Sequence, residues 1–416
     1  MAVTGPTSTE IRIALAFTAA LLLGVSLLQT VTLEARNYDF SARYASGVIL
    51  RQGDGSKVYC LDEERRVQEA LFGRNGVMVE THPPFEMPLY ALLAKLPYNH
   101  AYIVLAVINI SIWMFFVLLI RSCAPVPEQT LRYLLLCFTF FPLWAALLQG
   151  QTSLLLLLLY GATFFALKRK RDFVAGVFLG LGLFRFQLVL PFVLICILRK
   201  KWKLTVGFAS VALLLAAISV LAVGRQGVMS YAHLMIDTVR HPSNPSYASI
   251  RPTDMPTVRG FLAAILTGWV SQKWMNAGTA LVSAFLILFT AWRWRQEDRR
   301  GDDDSQGLIF AAALTVTLIT GFYVLAHDMS LMLLAVLLTF APSQRSKESR
   351  WWLVLKASAV VLCIPFAYML LLHWHRMSLL FPILVAFALS AFALLENHLF
   401  CARPTVGDFV RAGDDR

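Results

Sequence analysis

The sequence predicts an all-α polytopic membrane protein, and three observations carry that reading. Of 416 residues, 58% are hydrophobic and 15% are charged, against about 45–50% apolar and ~25% charged in soluble globular domains. Apolar runs of spanning or near-spanning length follow one another along most of the chain, and mean hydropathy is +0.64. The Lys and Arg residues gather in the connections between those runs. A soluble multidomain enzyme is excluded, and so is extended disorder, because this much apolar side chain needs a non-aqueous environment. The net charge of +12 then reads as the signature of positive inside loops, not of nucleic-acid binding.

Ile13–Leu33 is the first element. It has full spanning length, ~20 residues at about 1.5 Å per residue, whereas a cleaved signal peptide has a shorter apolar core and a small-residue cleavage site. It is therefore expected as an uncleaved first helix. A polar segment follows from Glu34 to about Pro83, without a helical period throughout, although Asp62–Phe72 reads as an interfacial amphipathic helix. The apolar runs then come in quick succession: Tyr102–Ile120, Tyr133–Leu148, Thr152–Leu167, Phe173–Leu198, Leu204–Val223, Ala277–Trp292, Leu308–Ala326, Met329–Ala341, Trp351–Leu372 and Leu379–Leu395. Basic clusters stand at Lys168–Arg171, Arg199–Lys203, Arg293–Arg300 and Arg345–Arg350. All of them fall inside if the N-terminus is cytoplasmic.

One run breaks the parity. Phe173–Leu198 has basic clusters on both sides, is long for one span and short for two. A pair of short helices that dips to the far side and returns resolves this, with the turn near Arg185 in Gly182-Leu183-Phe184-Arg185-Phe186-Gln187. The expected bundle has about 12 transmembrane or half-spanning helices with both termini cytoplasmic. Residues 1–400 form a single integral membrane domain with external loops at 34–98 and 224–273, and 401–416 form a cytoplasmic tail. The second loop is too polar to span and too proline-rich to be one helix.

Candidate chemistry collects outside. Asp39, in Asn37-Tyr38-Asp39-Phe40, is a carboxylate at the membrane surface among aromatics, the setting of a general base; a solvated loop acid is the alternative. The His327-Asp328 pair interrupts an apolar stretch, which marks either a useful site or a tight external turn. Arg185, Arg251 and Arg259 are candidate phosphate ligands, because a guanidinium forks onto two oxygens and stays charged at any depth. An arginine at the depth of Arg185 needs an anionic partner or a water-filled cavity, whereas Arg251 and Arg259 could equally be snorkelling loop residues. His373-Trp374-His375 points its histidines to opposite sides of a helix and reads as an aromatic interfacial turn. The six cysteines show no CxxC spacing and read as small buried hydrophobes. Walker A, GxGxxG and HExxH motifs are absent, and Asp302-Asp303-Asp304 reads as a solvated acidic turn. Neither a metal nor a cofactor is assigned.

Five motifs in order carry a resemblance. They are Asp39 in Tyr-Asp-Phe-x-x-x-Tyr with Gly47 beyond, His82-Pro83-Pro84-Phe85-Glu86-Met87-Pro88 opening a short helix that ends at Leu96-Pro97, Gln149-Gly150-Gln151-Thr152-Ser153 before a leucine run, the glycine-rich Ala175–Gly182 leading to a basic residue and Pro191, and His327-Asp328. Together they resemble glycosyltransferase family 87, the polyprenol-phosphate-mannose-dependent alpha-mannosyltransferase type with the GT-C membrane fold, over roughly Arg36 to Ala341. The resemblance implies an inverting transferase that moves a hexose, mannose by family default, from a polyprenyl-phosphate sugar to a lipid or glycan acceptor on the outer face of the plasma membrane. It implies Asp39 as general base and Arg185 as donor-phosphate ligand, and His82 and Gln151 stand within its motifs as candidate substrate-binding residues. Arg185-Phe186 replaces the Lys-Pro common in the family.

The rival classes are a polytopic transporter or flippase of lipid-linked glycans and a polymerase or ligase of them. A transporter would be expected to show inverted repeats with broken helices, and no convincing repeat relates the two halves. Polymerases of this kind place their long loop and paired arginines late in the chain, whereas the acidic candidate here follows the first helix.

Overall fold

The computed structural model describes residues 38–73, 78–121, 137–240, 251–300, 305–339 and 349–401. The expected first span Ile13–Leu33, the turn Asp302-Asp303-Asp304 and the tail beyond Cys401 lie outside the described residues. Every described element is helical, as the sequence predicts.

The segment expected as the first external loop folds into a compact helical layer. It comprises α1 (Tyr38–Arg51), α2 (Leu61–Phe72) and, after a short 3-10 turn at Pro84–Glu86, α3 (Met87–Leu93). The Asp62–Phe72 helix is where the sequence placed it, but α1 was not foreseen. Residues 40–46 of α1 are all buried, Ser41, Arg43 and Ser46 included, so no amphipathic stripe marks the helix in the sequence. Gly47 lets α1 cross α3 backbone to backbone, since a Cβ there would meet the Tyr90 carbonyl at 2.3 Å. Phe40, Tyr44, Tyr59, Val67, Met87 and Tyr90 close this layer around a hydrophobic cluster of its own.

Beneath it stands the bundle. Its elements are α4 (Tyr98–Arg121), α5 (Phe141–Leu148), α6 (Ser153–Lys168), α7 (Asp172–Leu181), α8 (Phe186–Leu198), α9 (Trp202–Arg240), α10 (Val258–Leu266), α11 (Gln272–Arg300), α12 (Gln306–Thr320), α13 (Leu331–Thr339), α14 (Arg350–Leu362), α15 (Pro365–His373) and α16 (Phe381–Cys401). α6, α12, α13 and α16 supply half of the large central core, with the buried face of α12 running without a polar gap from Leu308 to Ile319 except for back-bonded Thr315 and Thr317. Outer helices expose leucines and aromatics such as Leu213, Leu221, Leu281 and Phe285, a surface suited to lipid and not to water.

By length and composition, five described stretches are candidates to cross a membrane: 98–120, 172–198, 202–238, 272–299 and 377–396. α14 and α15 make a sixth if the pair counts as one span. The expected count of about 12 is not reached among the described residues. The 172–198 stretch is not one straight span. A straight helix would hold its ends about 39 Å apart, yet Asp172 Oδ2 lies 4.0 Å from Lys201 Nζ. Gly176 packs on Leu204 and Gly180 on Val211, so α7 and α9 rise side by side in the same direction. The chain therefore reverses in the 3-10 turn Gly182–Arg185, which is the hairpin that the flanking basic clusters require.

Two expected runs are broken. Leu204–Val223 continues past Gly224, whose φ of 72° and ψ of 171° divide α9 into two helical halves, the second reaching Arg240. Trp351–Leu372 bends by 62° between α14 and α15. Pro365 opens α15 and holds Ile364 extended, because a proline disfavours helical backbone in the residue before it.

Candidate functional site

The site forms where the helical layer meets the bundle. Gly150, with φ +62°, makes the turn between α5 and α6, and this left-handed residue aims Gln149 and Gln151 in different directions. Gln151 is buried and serves as a junction. Its amide nitrogen donates to Asp39 Oδ2, while its Oε1 accepts from Arg185 Nη2 and, at 2.5 Å, from Arg43 Nη2. Arg43 also donates to the Gly150 carbonyl at 2.8 Å, and Asn109 to the Gln151 carbonyl at 3.2 Å. Asp39 and Arg43 lie one turn apart on α1 and so share a face.

Arg185 sits at the tip of the α7–α8 hairpin and is 5% exposed. Its counter-charge is Asp328, 3.9 Å from Nε, and its Nη2 lies 3.4 Å from His327 Nε2. Asp328 is completely buried and accepts from Ser153 Oγ at 3.0 Å and from the Leu325 amide at 3.1 Å. His327 Nδ1 lies 2.8 Å from Gln149 Oε1. An amide oxygen only accepts, so Nδ1 carries the proton and Nε2 is the acceptor that faces Arg185.

Asp39, Gln151, Arg185, His327, Tyr323 and His82 line one cavity of about 60 Å³. His82 enters from the layer, with Nδ1 2.6 Å from Glu80 Oε1 and its own backbone amide on the same oxygen at 2.7 Å. Burial, aided by the Arg43 cation, pushes the His82 imidazole down to about 4, so it stands neutral at neutral pH. Burial opposes the charge on Glu80, but His82 and Arg43 hold its carboxyl below the ordinary value. Burial pushes Glu86 the other way, up to about 8, despite the Arg43 cation. His82 Nε2 is buried without a hydrogen-bond partner among the described residues.

Of the sequence-predicted site residues, Asp39, His82, Gln151, Arg185, His327 and Asp328 converge here. Arg259 lies just outside, half-buried with its guanidinium 4.2 Å from the Phe322 ring beside Tyr323. Arg251 does not join the site: it is exposed and precedes the 3-10 turn Pro252–Asp254. That turn is pinned by Asp254 to His375 at 3.2 Å, which gives the His373-Trp374-His375 turn a structural role. Arg43 and Glu80 were not singled out from the sequence, and Gln149 and Ser153 stood in a quoted motif without a role. The signal for Arg43 was its i,i+4 spacing from Asp39, which shows only once that segment is known to be helical.

The glycosyltransferase family 87 profile matches residues 81–321, more than half of the chain. The chain belongs to glycosyltransferase family 87. Neither a curated protein nor a solved structure matches it. The family 87 match makes it a membrane glycosyltransferase, with a sugar donor and an acceptor. The matched span holds His82, Gln151, Arg185 and Arg259, whereas Asp39 and Arg43 precede it and His327 and Asp328 follow it.

Proposed function

We propose that this glycosyltransferase moves a hexose, mannose by the family's default, from a polyprenyl-phosphate sugar to a lipid or glycan acceptor on the outer face of the plasma membrane. The observation that carries this reading is the single cavity bounded by the Asp39 carboxylate and the Arg185 guanidinium, with Arg43 donating to the same Gln151 oxygen behind it. A base and a cationic wall, Arg185 backed by the buried Arg43, in one small space suit displacement at an anomeric carbon with phosphate leaving. The acceptor oxygen bonds to the anomeric carbon as the bond from that carbon to the phosphate oxygen breaks. The electron pair leaves on phosphate, and the acceptor proton passes to Asp39. Arg185 and Arg43 stabilise the charge that develops on the departing phosphate, in a site dry enough for the effect to be large.

Asp328 neutralises Arg185 only partly at 3.9 Å, which leaves guanidinium donors free for phosphate oxygens. Arg185 Nε has no hydrogen-bond partner among the described residues. The His327 and His82 rings line the cavity beside Arg185 and would contact the sugar. The cavity of about 60 Å³ has room for a phosphate group beside Arg185.

The test supplies the purified full-length protein in nanodiscs with radiolabelled polyprenyl-phosphate mannose and a total lipid extract of its host. Label that moves to a new lipid or glycan supports the proposal. Label that stays on the carrier for mannose and for every sugar in a panel of polyprenyl-phosphate donors overturns it in favour of a transporter.

A further inference from the structure

The loop between α12 and α13 brings to the cavity of Asp39 and Arg185 one side chain that the transfer chemistry leaves unused, Tyr323. α12 ends at Thr320, and Gly321 lets the chain fold back on itself there. A Cβ at Gly321 would meet Val324 Cγ2 at 2.7 Å and Leu188 Cδ2 at 3.3 Å. Val324 is completely buried. One residue on, the Leu325 amide donates to Asp328 Oδ2 at 3.1 Å, and the Asp328 amide donates to the Leu325 carbonyl at 3.0 Å. Tyr323 therefore stands between anchored neighbours, on backbone that is set before any substrate arrives.

Phe322, beside it, is engaged with Arg259, whose guanidinium lies 4.2 Å from the ring centroid, so Tyr323 is the one of the pair that lines the cavity. Its phenol is within electrostatic reach of Asp39, Arg185 and Asp328. Burial and the Asp39 carboxylate push the phenol up from its ordinary value, so it keeps its proton at neutral pH and acts as a donor. It donates to none of the described residues. Tyr323 is half-buried and its hydroxyl keeps accessible surface, whereas the Tyr368 hydroxyl is sealed inside the bundle.

In the transfer proposed above, the acceptor oxygen approaches from the side of Asp39 and the phosphate departs toward Arg185. The anomeric carbon then lies between them, within reach of the same groups as the phenol. Two sugar oxygens flank that carbon in the ring. The ring oxygen gives up electron density in the transition state and becomes a poor acceptor, which leaves the 2-hydroxyl. We infer that Tyr323 binds the transferred sugar, its hydroxyl donating to the oxygen of the sugar's 2-hydroxyl. The inference rests on the transferase reading of the cavity and adds to it the residue that reads the sugar beside its reacting carbon.

The experiment uses full-length protein in nanodiscs with the total lipid extract as acceptor. Polyprenyl-phosphate mannose, or the sugar of the donor panel that is transferred in its place, competes in one reaction with its own 2-deoxy analogue under a different radiolabel. The product ratio gives the ratio of kcat/KM values even for a slow variant. A 6-deoxy analogue run in the same way supplies the control position. Tyr323→Phe should lower the preference for the full sugar over the 2-deoxy sugar about ten-fold or more, and leave the preference over the 6-deoxy sugar unchanged. The intrinsic reactivity of a 2-deoxy sugar cancels, because it enters the ratio alike with and without the phenol. Tyr368→Phe, the same chemical change in a sealed place, should move neither ratio. An unmoved 2-deoxy ratio in Tyr323→Phe, or an equal change in both ratios, overturns the inference and leaves the transferase reading standing. Absence of transfer from every polyprenyl-phosphate sugar overturns both.

Discussion

Arg43 and Arg185 donate to the same atom, the Oε1 of Gln151. Two guanidinium groups sharing one neutral acceptor repel each other in a buried place, and the nearest carboxylates relieve this only in part. Asp39 touches the far end of the same amide, and Asp328 stands 3.9 Å from Arg185. The arrangement is held by the fold.

Asp39→Asn keeps the size of the side chain and an oxygen that can accept from Gln151, so melting temperature should stay near that of the unmodified protein. Transfer should be abolished. Sugar release above about a tenth of the original rate, a loss under ~1.4 kcal/mol, would show that Asp39 is not the base.

Arg185→Ala removes the tip cation and leaves Asp328 buried without its counter-charge, so lost donor use should come with lost stability. Arg185→Lys should retain part of the activity, because a point charge stabilises phosphate without the fork. Arg43→Lys should behave alike, with a further loss from the Gly150 carbonyl contact. Donor KM and kcat compared across the variants check this, and unchanged kinetics in all of them would remove the pair from the site.

Gln151→Glu places a carboxylate between the two guanidinium groups and faces it toward Asp39. The cations become satisfied while the two acids compete for one proton. Melting temperature should hold or rise while transfer falls about ten-fold or more. A variant that is both less stable and fully active would contradict the role given to the amide.

Stability should pass through a maximum at mildly acidic pH. Glu86 is pushed from 4.5 up to about 8 in the fold, so the stability from its retained proton is fully present below 4.5 and is lost as pH rises from there through about 8. His82 is pushed from 6.5 down to about 4, so its contribution is present above 6.5 and lost as pH falls toward 4. Glu80, held low, loses its own contribution on the same acidic side. Each limb is on the order of a few kcal/mol. Melting curves across pH should show Glu86→Gln flattening the alkaline limb and His82→Gln the acidic one.

Polar residues inside apolar surroundings were the legible part of the site. Arg185 and His327-Asp328 stand out in the sequence because hydrocarbon has no use for them, and the fold brings them to Gln151. The hairpin was legible too, because charge on both sides of a run fixes its parity. α1 and Arg43 were not. A helix buried on every face carries no period, and Ser41 and Arg43 make it look like a loop. The extension of α9 past Gly224 and the bend at Pro365 depend on where neighbouring helices stop, which a hydropathy run does not encode.

Three separate stretches of chain, α1, the α5–α6 turn and the α7–α8 tip, meet at one side chain in Gln151. Such a junction constrains how the protein can vary across related genomes. A drift at position 151 strands Asp39, Arg43 and Arg185 together, so it is tolerated only with simultaneous changes at those positions. Aligned relatives should therefore show these four columns co-varying as a set, with Arg259 and Arg251 drifting independently of them.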